Sequence, residues 1–294
     1  MKITVQDFTG IYDYQPFMQE LREKAASSTD IHWFDCSKIV GTDCYCDDDA
    51  IKEINALIDN AECSSNSINT SNRAETAPGI HFFDNGNYHY MSKLWTDRVQ
   101  EPFSLIVFDH HPDMQPPRFG GILSCGGWVL EVLKNNPFVQ NVTLIGIADH
   151  LVDEIRQEIT SLTSDARYDV AHILDKVTFI KESEFSNKDI PAGTSPGQAF
   201  QVENNNPLYI SIDKDALAPA YAATNWDQGS LDVATLKNII VSLAESHKIL
   251  GIDICGERAK DFEGDEPHTV QEADTLNNNL NSELVDFLQK LKMV

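Results

Sequence analysis

The chain has 294 residues, of which 41% are hydrophobic, and a formal net charge of −24 that comes from 22 basic and 46 acidic residues. Its composition is that of a globular protein with a sizeable core. The acidic balance argues against binding to nucleic acid or to an anionic membrane, because the chain offers no excess of basic side chains for phosphates.

The start of the chain and its cysteines indicate the cellular compartment in which we expect the protein. MKITVQDF predicts a strand and lacks the apolar core of a signal peptide, and no apolar run approaches the length of a membrane span. The six cysteines show no paired CxxC spacing. Cys36, Cys125 and Cys255 lie in or beside apolar runs, where a reduced thiol packs as a small hydrophobe, and we interpret Cys44 and Cys46 as loop residues. We therefore expect a cytoplasmic protein.

Strands and helices alternate along the whole chain. The predicted strands are 2–7, 31–36, 79–83, 105–108, 142–148, 177–180, 208–212 and 249–254, and helical patterns separate most of them. This alternation predicts an α/β fold with a mostly parallel sheet that is covered by helices on both faces. We expect one domain over residues 1–294, in which the Ser-, Asn- and Thr-rich stretch 61–77 is a surface insertion.

The stretch 104–113, SLIVFDHHPD, carries the first functional signal. A short apolar run, typical of a strand buried on both faces, ends at Asp109, His111 and Asp113. In an extended or gently turning segment these three side chains point to one side. Two carboxylates and an imidazole form a ligand set for Mn²⁺, Fe²⁺ or Zn²⁺. The alternative is a polar loop whose side chains cap backbone groups.

The stretch 208–215, LYISIDKD, repeats this pattern with Asp213 and Asp215 after an apolar strand. Two carboxylates on one side repel each other unless a cation or a proton lies between them. A turn explains one of these aspartates easily and both poorly. His89 also follows a strand and is a candidate ligand. Because ligands of open α/β sheets bind beyond the carboxyl ends of the strands, these residues are expected to meet at one edge.

These motifs resemble those of the ureohydrolase (arginase–agmatinase–formiminoglutamase) superfamily. Residues 109–113 look like its Asp-x-His-x-Asp motif, and residues 211–215 look like its Ser-x-Asp-x-Asp motif. Residues 86–89, Gly-Asn-Tyr-His, are similar to the segment that supplies a further histidine. The match extends from residue 79 to residue 257. The resemblance implies a three-layer α/β/α, arginase-like fold with a centre of two Mn²⁺ ions per chain.

Carried over, the resemblance implies one ligand set for the two ions and their bridges: His89, Asp109, His111, Asp113, Asp213 and Asp215. Metal-bound hydroxide would attack the guanidinium carbon of a small cationic guanidino compound, including arginine within a peptide, and release urea or a related product. Glu257 is the candidate for holding the substrate cation. Relatives are often trimers or hexamers, so a homo-oligomer is compatible with the resemblance.

Three departures from the family pattern concern the substrate rather than the metals. Residues 124–127 read Ser-Cys-Gly-Gly where the family has a proton-shuttling histidine, which leaves His110 and His150 as substitutes. Residues 216–219 read Ala-Leu-Ala-Pro where Asp-Pro is usual. Asp253 and Glu257 are one residue further apart than in the family. A divergent member with an unfamiliar guanidino substrate fits these differences better than a standard arginase.

Two other hypotheses remain open at this stage. One is a mononuclear zinc amidohydrolase of the deacetylase type, which would need a histidine pair outside the metal motif. The other is a catalytically altered family member that only binds metal, for which the missing shuttle histidine is the main support.

Overall fold

The computed structural model describes residues 1–65, 78–117, 120–162, 172–186, 205–260 and 267–291. Within these ranges the strands are β1 (Ile3–Asp7), β2 (Ile31–Asp35), β3 (Tyr45–Cys46), β4 (Ile80–Phe82), β5 (Phe103–Phe108), β6 (Leu123–Ser124), β7 (Val139–Ile147), β8 (Val177–Lys181), β9 (Leu208–Asp213) and β10 (Ile249–Cys255). The α-helices are α1 (Pro16–Ala25), α2 (Asp48–Ser65), α3 (Met91–Thr96), α4 (Trp128–Asn135), α5 (Asp149–Leu162), α6 (Glu182–Ser186), α7 (Val233–Ser246) and α8 (Val270–Leu288).

Eight of the strands form one sheet in the order β2–β1–β4–β10–β9–β5–β7–β8. Every neighbouring pair in it is parallel. The remaining strands, β3 and β6, form a separate antiparallel pair. Parallel strands need helical crossovers, which place helices on the faces of the sheet. The predicted α/β fold with a mostly parallel sheet is confirmed.

Two apolar clusters, one on each face of the sheet, make up the core. Leu105 and Val107 of β5 pack with residues of α2, α3, α4 and α5, whereas Ile106 and Phe108 pack with residues of α1, α7 and α8. Successive side chains of one strand thus pack against helices on opposite faces of the sheet, because the strand is pleated. The result is the three-layer α/β/α arrangement.

The predicted surface insertion 61–77 needs a correction at its start. Helix α2 continues to Ser65, while residues 66–77 lie outside the described residues. Ala61 and Glu62 are good helix formers, so they extend the helix that Asp48 and Asp49 start. In the described ranges no helix is long and apolar enough to cross a membrane.

The order of the sheet decides which strand ends meet. Strands β4, β10, β9 and β5 are neighbours at its centre and run in one direction. Their carboxyl ends therefore lie side by side, and each is followed by polar residues: His89 after β4, Asp109 after β5, Asp213 at the end of β9 and Glu257 after β10.

Candidate metal centre

His89 lies at the centre of the polar cluster at this edge. Its Nδ1 atom is 3.2 Å from Asp109 Oδ2, 3.0 Å from Asp113 Oδ2 and 3.5 Å from Asp213 Oδ2. All four side chains are buried, and Nδ1 has no hydrogen-bond partner among the described residues. An imidazole nitrogen facing three carboxylate oxygens has the donor chemistry of a site for a divalent cation.

A second group of ligand atoms adjoins the first. His111 Nδ1 is 2.9 Å from Asp215 Oδ2 and 3.5 Å from Asp109 Oδ1. His89, Asp109 and Asp113 form one set in which the ligand atoms lie within 4.8 Å of one another, and Asp109, His111 and Asp215 form another. Asp109 belongs to both sets, which together hold five of the predicted ligands, and the sixth, Asp213, lies 3.5 Å from His89. The structure therefore brings all six predicted ligands into one continuous cluster.

The three residues of the first motif all reach the cluster, as predicted, but contact different parts of it. Asp109 and Asp113 face His89, whereas His111 faces Asp215. The extended backbone assumed for the prediction ends before Asp113, which has a left-handed backbone with φ of 48°. Trp128 Nε1 donates to Asp113 Oδ2 at 2.8 Å and fixes this carboxylate in the cluster.

The charges in the cluster are costly without a cation. Burial, together with the neighbouring Asp215 carboxylate, raises the pKa of Asp213 to about 7, and burial together with Asp109 raises the pKa of Asp215 to about 6. Lys214 stands between them in sequence but pairs with Glu257 instead. Four ionised carboxylates would balance two divalent ions. The residues present therefore fit a two-metal centre in both donor chemistry and charge.

Neighbouring hydrogen bonds set the ligands in place. The other ring nitrogen of His89, Nε2, is 2.9 Å from the Ser211 hydroxyl, which is itself 2.8 Å from the Ser92 hydroxyl. The backbone N–H of His110 donates to Asp215 Oδ1 at 3.0 Å. Such partners orient ligands and fix the imidazole tautomer.

Cys255 is a potential ligand that the sequence prediction missed. Its sequence context predicts a place in the apolar core, and its thiol is indeed buried. The thiol nevertheless donates to Asp213 Oδ2 at 3.2 Å and lies within 4.8 Å of ligand atoms of His89 and Asp213. The signal that could have found it is its position, since it is the last residue of β10, beside the end of β9.

Glu257 does not have the free carboxylate that the predicted substrate contact needs. It is 1% exposed and accepts hydrogen bonds from Lys214 Nζ, from Asn281 Nδ2 at 2.8 Å and from Gln15 Nε2 at 2.9 Å. Its charge is already balanced by the buried Lys214 ammonium. A carboxylate held by three internal donors ties parts of the fold together, so we do not retain it as the group that holds the substrate.

The two candidate proton carriers occupy different environments. His150 is exposed at the start of α5. His110 is 9% exposed, and its Nδ1 has no hydrogen-bond partner in the ranges that the structure describes. Its ring lies edge-on to the ring of His111 with 5.5 Å between centroids. Of the two, only His110 contacts a residue of the cluster in the described part of the chain.

The partly exposed side chain of Trp226 lies beside the cluster and forms one wall of the space next to it. Its ring is 5.9 Å from the ring of His111, and its Nε1 donates to Asn87 Oδ1 at 3.0 Å. A Cβ atom on Gly86 would lie 2.7 Å from the Trp226 ring and 3.2 Å from Asp213 Oδ2, so only glycine lets this indole approach the cluster so closely. The side chain is 42% exposed.

Comparison with known proteins agrees with this geometry. The sequence profile of the Arginase family matches residues 81–257, which is more than half of the chain and includes all six clustered ligands. The chain belongs to the Arginase family. An uncharacterised protein of Thermotoga maritima is 25% identical to this family member over 255 residues, which cover 87% of this chain and 79% of that protein.

Solved structures share the fold of this Arginase family member at low identity. The proclavaminate amidino hydrolase of Streptomyces clavuligerus is 18% identical, with a TM-score of 0.58 over 97% of this chain and 91% of that one. The arginase of Bacillus caldovelox is 13% identical, with a TM-score of 0.56 over 95% of this chain and 97% of that one. The arginase-like architecture is thereby confirmed.

Proposed function

We propose that this protein is a cytoplasmic, manganese-dependent hydrolase that cleaves a C–N bond of a guanidino compound, with two Mn²⁺ ions per chain. The observation that carries the proposal is the pair of His/Asp ligand sets that share Asp109, in which every residue except His111 is buried. Similarity to the amidino hydrolase and the arginase supports the class of reaction.

The residues that would hold the ions are those of the cluster: His89, Asp109, His111, Asp113, Asp213 and Asp215. Carboxylate and imidazole donors suit Mn²⁺. When bound, the ions supply Lewis acidity that makes water a good nucleophile near neutral pH. The protein supplies the fixed positions of the ligands, because Trp128, Ser211 and the backbone of His110 hydrogen-bond to them.

The wall formed by Trp226 is the best-placed surface for a planar cation. A guanidinium group stacks on an indole ring by cation–π attraction and dispersion. The Trp226 ring is fixed by the bond to Asn87, whose Oδ1 also accepts from Asn225 Nδ2 at 3.2 Å. The net charge of −24 is compatible with a cationic substrate. His110, which lies against His111, is the proposed carrier of the proton to the leaving amine.

The proposal is tested by loading the purified chain with Mn²⁺ and measuring metal content and product. We expect about two ions per chain, as a two-ion site requires, and release of urea or ammonia from at least one member of a guanidino panel that includes an arginine-containing peptide. A metal-loaded protein that releases neither product from any member would contradict the hydrolase assignment and leave the catalytically altered, metal-binding member.

A mononuclear zinc amidohydrolase is the second candidate, and Cys255 is the observation that favours it. A thiol is a softer donor than a carboxylate and is typical of zinc sites. Its Sγ atom lies in a ligand set with His89 and Asp213. About one zinc per chain, with cleavage of acetylated amines and no urea, would support this candidate instead.

Trp226 gives the proposal a prediction of its own. Trp226→Leu is expected to raise KM for the best cationic guanidino substrate by about 2- to 30-fold, which corresponds to a cation–π contribution of about 0.5–2 kcal/mol. Trp226→Phe should retain most of the affinity, and metal content should be unchanged in both. Steady-state kinetics and elemental analysis measure the two effects.

The matched control is Tyr221→Leu, which removes another exposed aromatic ring (40% exposed) from the same loop. Tyr221 has no described contact with the cluster, so the KM of Tyr221→Leu should match that of the parent. Equal KM values for Trp226→Leu and the parent would remove Trp226 from the substrate site while leaving the metal assignment in place.

A further inference from the structure

Cys44 and Cys125 face each other across the small antiparallel pair of strands. In this pair Tyr45 is opposite Ser124 and Cys46 is opposite Leu123, so the register continued by one residue sets Cys44 opposite Cys125. The Cys125 N–H donates to the Cys44 carbonyl at 2.9 Å, just outside the strand pair, where Cys44 has a left-handed backbone with φ of 57°. A direct backbone hydrogen bond between two residues keeps their Cα atoms within about 6.8 Å of each other, the upper limit of the range of disulfides, roughly 4.4–6.8 Å.

Both residues of this pair are partly exposed. The other described cysteines, Cys36, Cys46 and Cys255, are buried. Burial raises the pKa of Cys36 and of Cys46 to about 12, which leaves them protonated and unreactive. Among the described cysteines, Cys44 and Cys125 thus combine a partner at disulfide distance with access to solvent.

We propose that Cys44 and Cys125 are an oxidation site that reacts with small disulfides, of which oxidised glutathione is the probe, to form an intramolecular disulfide. Cys44 attacks one sulfur of the small disulfide, whose S–S bond breaks, and the first small thiolate leaves. Cys125 then loses its proton and attacks Cys44 Sγ, and the second small thiolate leaves. One small disulfide is reduced to two thiols, and two protein thiols are oxidised to one disulfide.

The order of attack follows from the environment of each sulfur. The hydrogen bond from Cys125 lowers the pKa of Cys44, whereas the same hydrogen bond and burial raise the pKa of Cys125. Since the thiolate is the nucleophile, Cys44 is the first to react and Cys125 resolves the mixed disulfide.

The bond would join two segments that flank the metal centre. On one side, Asp43 Oδ1 accepts a hydrogen bond from Asn87 Nδ2 at 2.8 Å. Asn87 lies two residues before the ligand His89. On the other, the Val129 N–H donates to the Asp113 carbonyl at 3.0 Å, just after the turn that contains Cys125. Oxidation should therefore stabilise the fold around the ligands, because the link restricts the unfolded chain.

The test uses the full chain, reduced and then incubated with millimolar oxidised glutathione before alkylation and peptide mapping. We expect a peptide linking Cys44 to Cys125, alkylation of the four remaining cysteines of the six in the chain, and a rise of several degrees in the midpoint of thermal unfolding. Cys125→Ser should retain glutathione on Cys44, and Cys44→Ser should leave Cys125 largely unmodified.

Cys46→Ser is the matched control, since Cys46 is next but one to Cys44 yet pairs with Leu123. It should form the same link as the parent. Absence of the 44–125 peptide in the parent, its loss in Cys46→Ser, or a fall in the unfolding midpoint on oxidation would each overturn the proposal. None of these readouts depends on the hydrolase activity.

Discussion

Asp213→Asn is expected to weaken metal affinity by about 100-fold or more, because it removes the charge of a buried ligand. Loss of a residue that only hydrogen-bonds to a ligand already lowers metal affinity by about 10- to 100-fold. Asp213 Oδ2 lies 3.5 Å from His89 Nδ1, and Asp213 Oδ1 accepts from the Asp215 N–H at 3.0 Å. The amide keeps the shape and one acceptor, so the fold should survive. Metal content after mild chelation measures the effect.

Asp227→Asn is the matched control, since Asp227 is exposed in the loop after β9 and belongs to no ligand set in the described residues. It should retain metal like the parent. Chelated Asp213→Asn should also be at least as stable to urea as the chelated parent, because one of four crowded carboxylates is neutralised. Equal metal retention in the two variants would contradict the ligand assignment.

The ligands could be predicted because the information they need is local. Asp109 and Asp213 stand at the ends of apolar strands, and a parallel sheet places such ends at one edge whatever the order of the strands. Asp149 also follows a strand, β7, yet it is exposed and accepts from Ser183, because β7 lies outside the central four strands. Strand order, which decides between these cases, is not a local property.

Residues whose roles depend on distant partners escaped prediction. Glu257 follows a strand as Asp109 does, but its carboxylate accepts hydrogen bonds from Lys214, Gln15 and Asn281. No sequence pattern connects these four positions. Trp226 approaches the cluster only because Gly86, 140 positions earlier, has no side chain. Cys44 and Cys125 gain their significance from the register of two very short strands.

The buried pair of Lys214 and Glu257 carries the other large predicted effect. Lys214 is 0% exposed and Glu257 is 1% exposed, and the pair joins the turn after β9 to the end of β10. Gln15, directly before α1, and Asn281 of α8 complete its hydrogen bonds. Removing one partner leaves the other charge buried and unpaired, which is far more costly than the pair itself.

Lys214→Met is accordingly expected to lower the free energy of unfolding by about 3–5 kcal/mol, measured by urea denaturation. In the double variant Lys214→Met/Glu257→Gln, the neutral amide can still bond to Gln15 and Asn281, so part of this loss should be recovered. Lys237→Met is the control: Lys237 pairs with Glu283 on the surface, where the partner is 56% exposed, and its loss should cost no more than about 1 kcal/mol.

Glu257→Gln separates the structural role from the substrate role that the sequence indicated for this residue. If Glu257 ties the fold together, this variant should be destabilised because Lys214 loses its counter-charge, while KM of the folded enzyme for a cationic substrate stays near the parent value. If Glu257 holds the substrate, KM should rise sharply and the unfolding curve should not move. The three internal donors on its carboxylate favour the first outcome, since a guanidinium group could reach that carboxylate only by displacing one of them.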